Sequence, residues 1–183
     1  AVTRDVYNIG MQSVPKTENN KKILGCEKSL ARQGDEEVIK PGNQLSMLIE
    51  TPIRLEDGTT KNISVLSCAA PALDRETQAE FKNYTSKDWL GRITLDRNAY
   101  LKSLLAIQQH IILSAKEKKP SRVVLSAIGS NAFLNALPFD QRKIATKMIK
   151  YVLADTAREL CNMNISIGFT DIDEQFWRDI NKI

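Results

Sequence analysis

The sequence predicts an α/β fold in which strands and helices alternate along the second half of the chain. Short apolar runs bounded by polar residues stand at 61–68 (KNISVLSC), 122–128 (RVVLSAI) and 164–169 (NISIGF), the pattern of strands. Between them lie two longer segments whose apolar residues recur at i, i+3, i+4 and i+7, the period of a helix. Strand, helix, strand, helix, strand with right-handed crossovers places the strands parallel in one sheet and the helices on its faces.

Residues 1–12 alternate loosely through Val2, Val6 and Ile9 and suit an edge strand. The polar stretch 13–22 (SVPKTENNKK) reads as a surface loop. Residues 27–40 hold strong helix formers interrupted by Gly34, and Pro41-Gly42-Asn43 is a turn signal. An apolar strand over 45–53 meets the strand 61–68 through a turn at Glu56-Asp57-Gly58. Pro71 biases Ala70 away from helix and ends that strand. The mixed segment 72–97 is an excursion with one short helix around 75–84.

Asp96 can cap a helix over 97–117 whose stripe is Leu101, Leu104, Leu105, Gln108, Ile111, Ile112 and Ala115. Pro120 stops it. The near-continuous apolar run 122–128 is the pattern of a strand covered on both faces. Pro138 opens a second long helix, about 138–161, with Ala145, Met148, Ile149, Val152, Leu153 and Leu160 as its stripe. A strand at 164–169 and a short helix over 171–180 close the chain. The expected organisation is a single domain over 1–183, with 1–22 as edge strand and loop and 23–183 as core, and such a domain can stand within a longer chain.

The 183 residues are 42% apolar and 26% charged, which excludes a disordered tail, a collagen-like fibre and a coiled-coil rod. Net charge is +4, but the 26 basic residues are interleaved with 22 acidic ones, so no polybasic arm for nucleic acid stands out. An anionic small ligand suits that balance. No apolar run is long enough to span a membrane, and Arg4 and Asp5 interrupt the N-terminal stretch where a secretory signal would need an apolar core. Cys26, Cys68 and Cys161 are an odd, widely spaced set, which points to a reducing compartment and no disulfide framework. With His110 the only histidine, neither a metal site nor a cofactor is expected.

Ligands of open α/β sheets bind beyond the carboxyl ends of the strands. Three such ends are small and polar here: 67–71 (SCAAP), 126–133 (SAIGSNAF) and 168–171 (GFTD). Small side chains let a ligand approach the backbone, and free N–H groups at a strand-to-helix turn suit phosphate oxygens; the same residues also permit tight turns. Phe133 and Phe169 suit either core packing or stacking on a flat heterocycle. The run Gln33-Gly34-Asp35-Glu36-Glu37 sets three carboxylates side by side. That arrangement can raise one pKa for acid–base work, or simply form a solvated face. Cys68, at a strand end, could be a nucleophile, but no partner base is evident and a small buried residue is the simpler reading; His110 reads as structural or solvent-facing, and Trp89 and Trp177 as packing residues as readily as anything else. The chain has no GxxxxGK[ST], GxGxxG or GxSxG motif.

Residues 126–135 (SAIGSNAFLN) and 65–73 (VLSCAAPAL) resemble two segments of the macrodomain superfamily, in its branch of poly(ADP-ribose) glycohydrolases and their bacterial relatives. There a strand runs into a small-Gly-x-Gly-x-Phe-x-Asn loop, and a Ser-Ala-type strand leads into Ala-Pro. Gly129 matches the first glycine, Asn131 stands in the neighbourhood of the second, and Phe133 and Asn135 match the aromatic and polar positions. The family's catalytic loop pairs a Gly run with Gln-Glu-Glu. Here Asp35 replaces the Gln, and Gly25 is all that remains of the run.

The resemblance implies a three-layer α/β/α macrodomain-like mixed sheet and an ADP-ribosylhydrolase that removes ADP-ribose from modified protein side chains. Its alternatives are a non-catalytic ADP-ribose reader and an interaction or effector module. Glu37 would be the general acid, Glu36 would hold the ribose hydroxyls, and Asp35 would complete the acidic loop. Gly34, Ala70, Pro71, Ser126, Ile128, Gly129, Ser130, Asn131, Ala132, Phe133 and Phe169 would surround the ligand. The implied partner is ADP-ribose or ADP-ribosylated protein, with no membrane and no nucleic acid. The implied location is cytoplasmic, or the host cytosol for a secreted bacterial effector. Oligomeric state has no signal in the sequence.

Overall fold

The structure is a computed structural model that describes residues 46–170 together with Glu174, Gln175 and Arg178. The sequence expectations for 1–45, for most of 171–180 and for Trp177 therefore lie outside the described residues. The chain is mixed α/β. Its described strands form three two-stranded sheets, β1–β2, β3–β4 and β5–β6. The described residues fall into two compact units, 46–68 and 69–170.

The first unit is a hairpin. Strands β1 (Ser46–Arg54) and β2 (Thr60–Cys68) pair antiparallel from Ser46↔Cys68 to Arg54↔Thr60. The Glu56-Asp57-Gly58 turn forms as predicted. Leu55 N–H donates to Thr59 O (2.8 Å) and Gly58 N–H to Leu55 O (2.9 Å), with Gly58 at φ +82°. That is the left-handed position a three-residue hairpin loop reserves for glycine. Asp57 Oδ1 accepts from both the Thr59 N–H (2.8 Å) and its hydroxyl (2.6 Å). These bonds hold the Asp57 carboxyl below the ordinary carboxylate range.

The second unit holds the core. Its elements are α1 (Ala79–Tyr84), β3 (Thr85–Lys87), β4 (Ile93–Leu95), α2 (Arg97–Lys118), β5 (Arg122–Ser126), a 3-10 turn (Asn131–Leu134), α3 (Phe139–Asn162) and β6 (Ser166–Thr170). Helices α2 and α3 pack on one another and bury Leu104, Ile112, Ala115, Ala145, Ile149, Leu153 and Leu160 against Leu125 of β5 and Leu73.

Helix α2 begins where Asp96 predicts. The Asp96 side chain accepts from Ala99 N–H at 3.0 Å, a cap typically worth about 1 kcal/mol. The helix ends at Lys119 in the left-handed conformation, φ 46°. Its buried face differs from the predicted stripe: Leu101 and Leu105 are exposed, while Tyr100, Ser103 and Ala106 are buried. The rest of the predicted stripe holds, with Leu104, Gln108, Ile112 and Ala115 buried and Ile111 partly so. An aromatic and two small residues form the close contact, which apolar counting does not weigh.

Strands β5 and β6 pair in parallel from Arg122↔Ser166 to Ser126↔Thr170, and α3 is the crossover between them. A parallel pair needs such a connection. The prediction that the run 122–128 is covered on both faces does not hold among the described residues. Leu125 is buried and Val123 packs on the core, but Val124 is 43% exposed. The strand also stops at Ser126, before the turn at 127–130.

The excursion 72–97 contains a hairpin that the sequence did not predict. In its tip, Asp88 Oδ1 accepts from Leu90 N–H and Arg92 N–H (2.9 Å each), and Asp88 Oδ2 meets Arg92 Nε at 2.7 Å. Trp89, in this tip, is 89% exposed, which removes packing from the roles that the sequence left open for it. No helix among the described residues is long and apolar enough to cross a membrane.

Candidate functional site

The segment 70–73 and the loop 126–137 are the two small-residue stretches that the fold brings together. Leu73 is the joint. Its N–H donates to Phe133 O (2.8 Å) and its carbonyl accepts from Ala136 N–H (3.0 Å). Pro71 and the Leu73 side chain are fully buried, so this segment is packed as well as hydrogen-bonded.

The loop itself is a chain of tight turns. Ile128 N–H donates to Ser126 O (2.9 Å), and Ser130 N–H donates to Ala127 O (3.2 Å), closing a four-residue turn with Ile128 and Gly129 at its centre. Gly129 has φ +77°, the value a type II turn requires at its third residue. A Cβ placed on Gly129 would lie 2.7 Å from the Ala70 Cβ, so the two rims touch where only hydrogen fits. The 3-10 turn follows, with Phe133 N–H donating to Ser130 O at 3.4 Å and Asn135 N–H to Ala132 O at 3.3 Å. Leu134 and Leu137, both buried, anchor it in the core. Among the described residues, the Gly129 and Ala132 N–H groups meet no backbone carbonyl.

Arg142 clamps the far side. Its Nη2 donates to Asn135 O (3.0 Å) and Leu137 O (3.2 Å). The sequence reading passed over this residue, although a signal was present. Arg142 lies in the first turn of α3, where the helix dipole favours acids, and a cation there marks a specific partner. Tyr100 was also missed. It stands one turn into α2, fully buried, with its hydroxyl 3.9 Å from the Cβ position of Gly129.

Of the residues expected around a ligand, Ala70, Ser126, Ile128 and Ser130 are half-buried, Gly129 and Pro71 are buried, Ala132 is exposed and Phe133 is 50% exposed. Asn131 opens the 3-10 turn. Phe169, opposite Leu125 in the parallel pair, packs partly buried against the core. Gly34, Asp35, Glu36 and Glu37 lie outside the described residues.

Titratable chemistry near this site is sparse among the described residues. Burial pushes the Cys68 thiol up to about 12, so a thiolate is scarce near neutral pH and a nucleophilic role has no support. His110, partly buried on α2, is lowered by burial. Among the described residues no cluster of His, Cys, Asp and Glu could hold a metal ion.

Glu80 on α1 ties a carboxyl to the segment that follows Pro71. It accepts from Ala72 N–H, and desolvation, aided by the Asp74 charge, pushes its pKa above the ordinary 4.5. The sign follows from linkage: the folded state holds this proton more tightly than the unfolded chain, so stability falls as pH rises through that window. Glu80→Gln keeps an acceptor for Ala72 and removes the half-buried charge. Thermal melts should show the variant more stable than the parent at pH 7 and equal to it near pH 4. A loss at pH 7 would reveal a favourable ion pair that the geometry does not contain.

Chemically, the site offers two main-chain N–H groups, of Gly129 and Ala132, that no backbone carbonyl takes among the described residues, with the half-exposed Phe133 ring in the same loop. That set suits an anion attached to a flat apolar group. Compared with family models, curated proteins and solved structures, the chain matches none.

Proposed function

We propose that the chain binds ADP-ribose in a macrodomain-like pocket and hydrolyses its glycosidic link to a modified protein side chain. One observation carries this reading: Leu73 hydrogen-bonds the Ala-Pro segment to the glycine-containing loop, with Gly129 closed against Ala70. These are the two stretches of the sequence that resemble the macrodomain superfamily. The parallel β5–α3–β6 unit, with α2 packed on α3, is the kind of unit from which a three-layer α/β/α fold is built.

In this reading the diphosphate rests on the main-chain N–H groups of Gly129 and Ala132, which no backbone carbonyl takes among the described residues. The half-exposed Phe133 offers the adenine a face. The acidic run supplies the chemistry. Glu37 protonates the leaving side-chain atom as the bond to the ribose C1″ breaks, Glu36 holds the ribose hydroxyls, and water attacks the oxocarbenium-like centre and gives its proton to the Glu37 carboxylate, which restores the acid. A reducing cytoplasm, that of a host cell if the chain is a secreted bacterial effector, suits the odd, widely spaced cysteines.

The test is release of ADP-ribose from an ADP-ribosylated protein, measured for the parent chain, Glu36→Gln and Glu37→Gln. The parent should turn over, and Glu37→Gln should lose roughly 10²- to 10⁴-fold, the span a positioned acid supplies. Calorimetric binding without release would select the non-catalytic reader, for which the replacement of the family's Gln by Asp35 and the missing Gly run speak. Absence of both binding and release would discard the ADP-ribose reading.

A further inference from the structure

Helix α3 carries a row of side chains that neither the core nor the candidate site uses. Phe139, Lys143, Lys147 and Tyr151 follow one another at intervals of four residues, so they form a ridge along the helix surface. At 1.5 Å of rise per residue, the two aromatics stand about 18 Å apart along the axis. Phe139 is 70% exposed, Tyr151 is 50% exposed, and both lysines are exposed. The core contact of the helix runs through Ala145, Ile149 and Leu153, on another face.

Each lysine reaches one of the rings. Lys143 Nζ lies 4.4 Å from the Phe139 centroid, and Lys147 Nζ lies 6.0 Å from that of Tyr151. No carboxylate among the described residues is within ion-pair distance of either lysine. From 139 to 151 the helix carries Arg142, Lys143, Lys147 and Lys150 against a single acid, Asp140. Asp155, the next position of the row, is engaged by Gln108 Nε2 and Arg158 Nη1 at 2.9 Å each. The sequence reading passed over this cationic face because its charges are spaced by helix turns and not run together.

We propose that this face of α3 is a docking surface for single-stranded nucleic acid: bases stack on the open faces of Phe139 and Tyr151, and Lys143 and Lys147 meet the phosphates between them. Exposed rings interleaved with cations supply both things such a strand needs, flat apolar faces for its bases and positive charge for its backbone. A duplex keeps its base faces in its own stack and would use the charges alone. An anionic membrane surface calls for a continuous apolar face beside the cations, whereas here the residues between the rings are the lysines themselves. Each lysine lies over one face of its ring, which leaves the opposite face to a base.

Fluorescence anisotropy of a labelled oligothymidylate, titrated with the full chain at low and at physiological salt, tests this. The parent should bind the single strand more tightly than a duplex of the same length. Phe139→Ala and Tyr151→Ala should each weaken binding roughly 5- to 150-fold, the span for loss of one base–aromatic stack, whereas Tyr151→Phe should bind like the parent. Lys143→Gln/Lys147→Gln should flatten the slope of log affinity against log salt by about 1.4, at about 0.7 for each phosphate contact. All four side chains are exposed, so the variants should melt close to the parent. Alanine variants that bind like the parent would reduce the surface to plain charge attraction and overturn the proposal. So would equal affinity for the duplex, no binding by the parent at low salt, or displacement of the oligonucleotide by ADP-ribose, which would put the strand in the other site. A parent that binds phosphatidylserine vesicles and not the oligonucleotide would make the face a membrane contact instead. None of these outcomes bears on ADP-ribose hydrolysis, because the probe contains no ADP-ribose.

Discussion

Gly129→Ala is expected to destabilise the fold by about 2–5 kcal/mol and to abolish ligand binding. Two costs add. A non-glycine residue in the left-handed region costs roughly 1–2 kcal/mol, and Gly129 sits at φ +77°. The new methyl would also lie 2.7 Å from the Ala70 Cβ, and overpacking of a tight contact costs typically 1–3 kcal/mol. Neither cost can be relieved cheaply, because Ala70 adjoins buried Pro71 and because the turn is held by the Ser130 to Ala127 bond. Chemical denaturation measures the loss of stability. The double variant Ala70→Gly/Gly129→Ala separates the terms: it should recover the clash and leave the backbone cost. If Gly129→Ala melts with the parent, the close approach of the two rims is not real.

Leu73→Ala should cost about 3 kcal/mol, within the range for removing a buried leucine side chain, and lower Tm by roughly 6–12 °C for a chain of this size. Leu73 is fully buried in the cluster that also holds Tyr100, Leu125, Leu134 and Leu137. The substitution keeps the backbone bonds to Phe133 and Ala136. It therefore tests packing alone, and ligand affinity should change far less than stability. Leu73→Pro removes the N–H donor as well and should separate the rims, so that affinity falls with stability. A Leu73→Ala variant as stable as the parent would mean that the Ala-Pro segment is not seated in the core.

These two variants probe the same junction from opposite sides. Gly129 matters because nothing larger than hydrogen fits between loop and rim. Leu73 matters because its side chain fills the core while its main chain ties the two segments together. The proposed diphosphate site would draw on such rigidity, since preformed N–H groups bind anions without first losing conformational entropy.

Much of the local structure was legible in the sequence because local chemistry determines it. Asp96 capped its helix, Glu56-Asp57-Gly58 closed its hairpin, and Pro138 stood at the start of α3, each through bonds spanning a few residues. Hydrophobic period also gave most of the α3 stripe, since Ala145, Ile149, Leu153 and Leu160 are buried as expected. The failures were of a different kind. Leu101 and Leu105 face outward because α2 approaches its neighbours through Tyr100, Ser103 and Ala106, and a choice between two apolar faces depends on what arrives from elsewhere in the chain. Trp89 is exposed because Asp88 folds the hairpin tip around its own carboxylate.

The candidate site divides along the same line. Small residues at strand ends, and the glycine that a positive-φ turn demands, are properties of short stretches and can be read from the chain by itself. The contact of Gly129 with Ala70, the bridging bonds of Leu73, the clamp by Arg142 and the unpaired Tyr100 hydroxyl join residues far apart in sequence. Only the tertiary structure could decide these. Such pairings depend on the packing of α2 and α3 around a shared core, and no local preference encodes which distant partner a backbone group or a buried hydroxyl will meet.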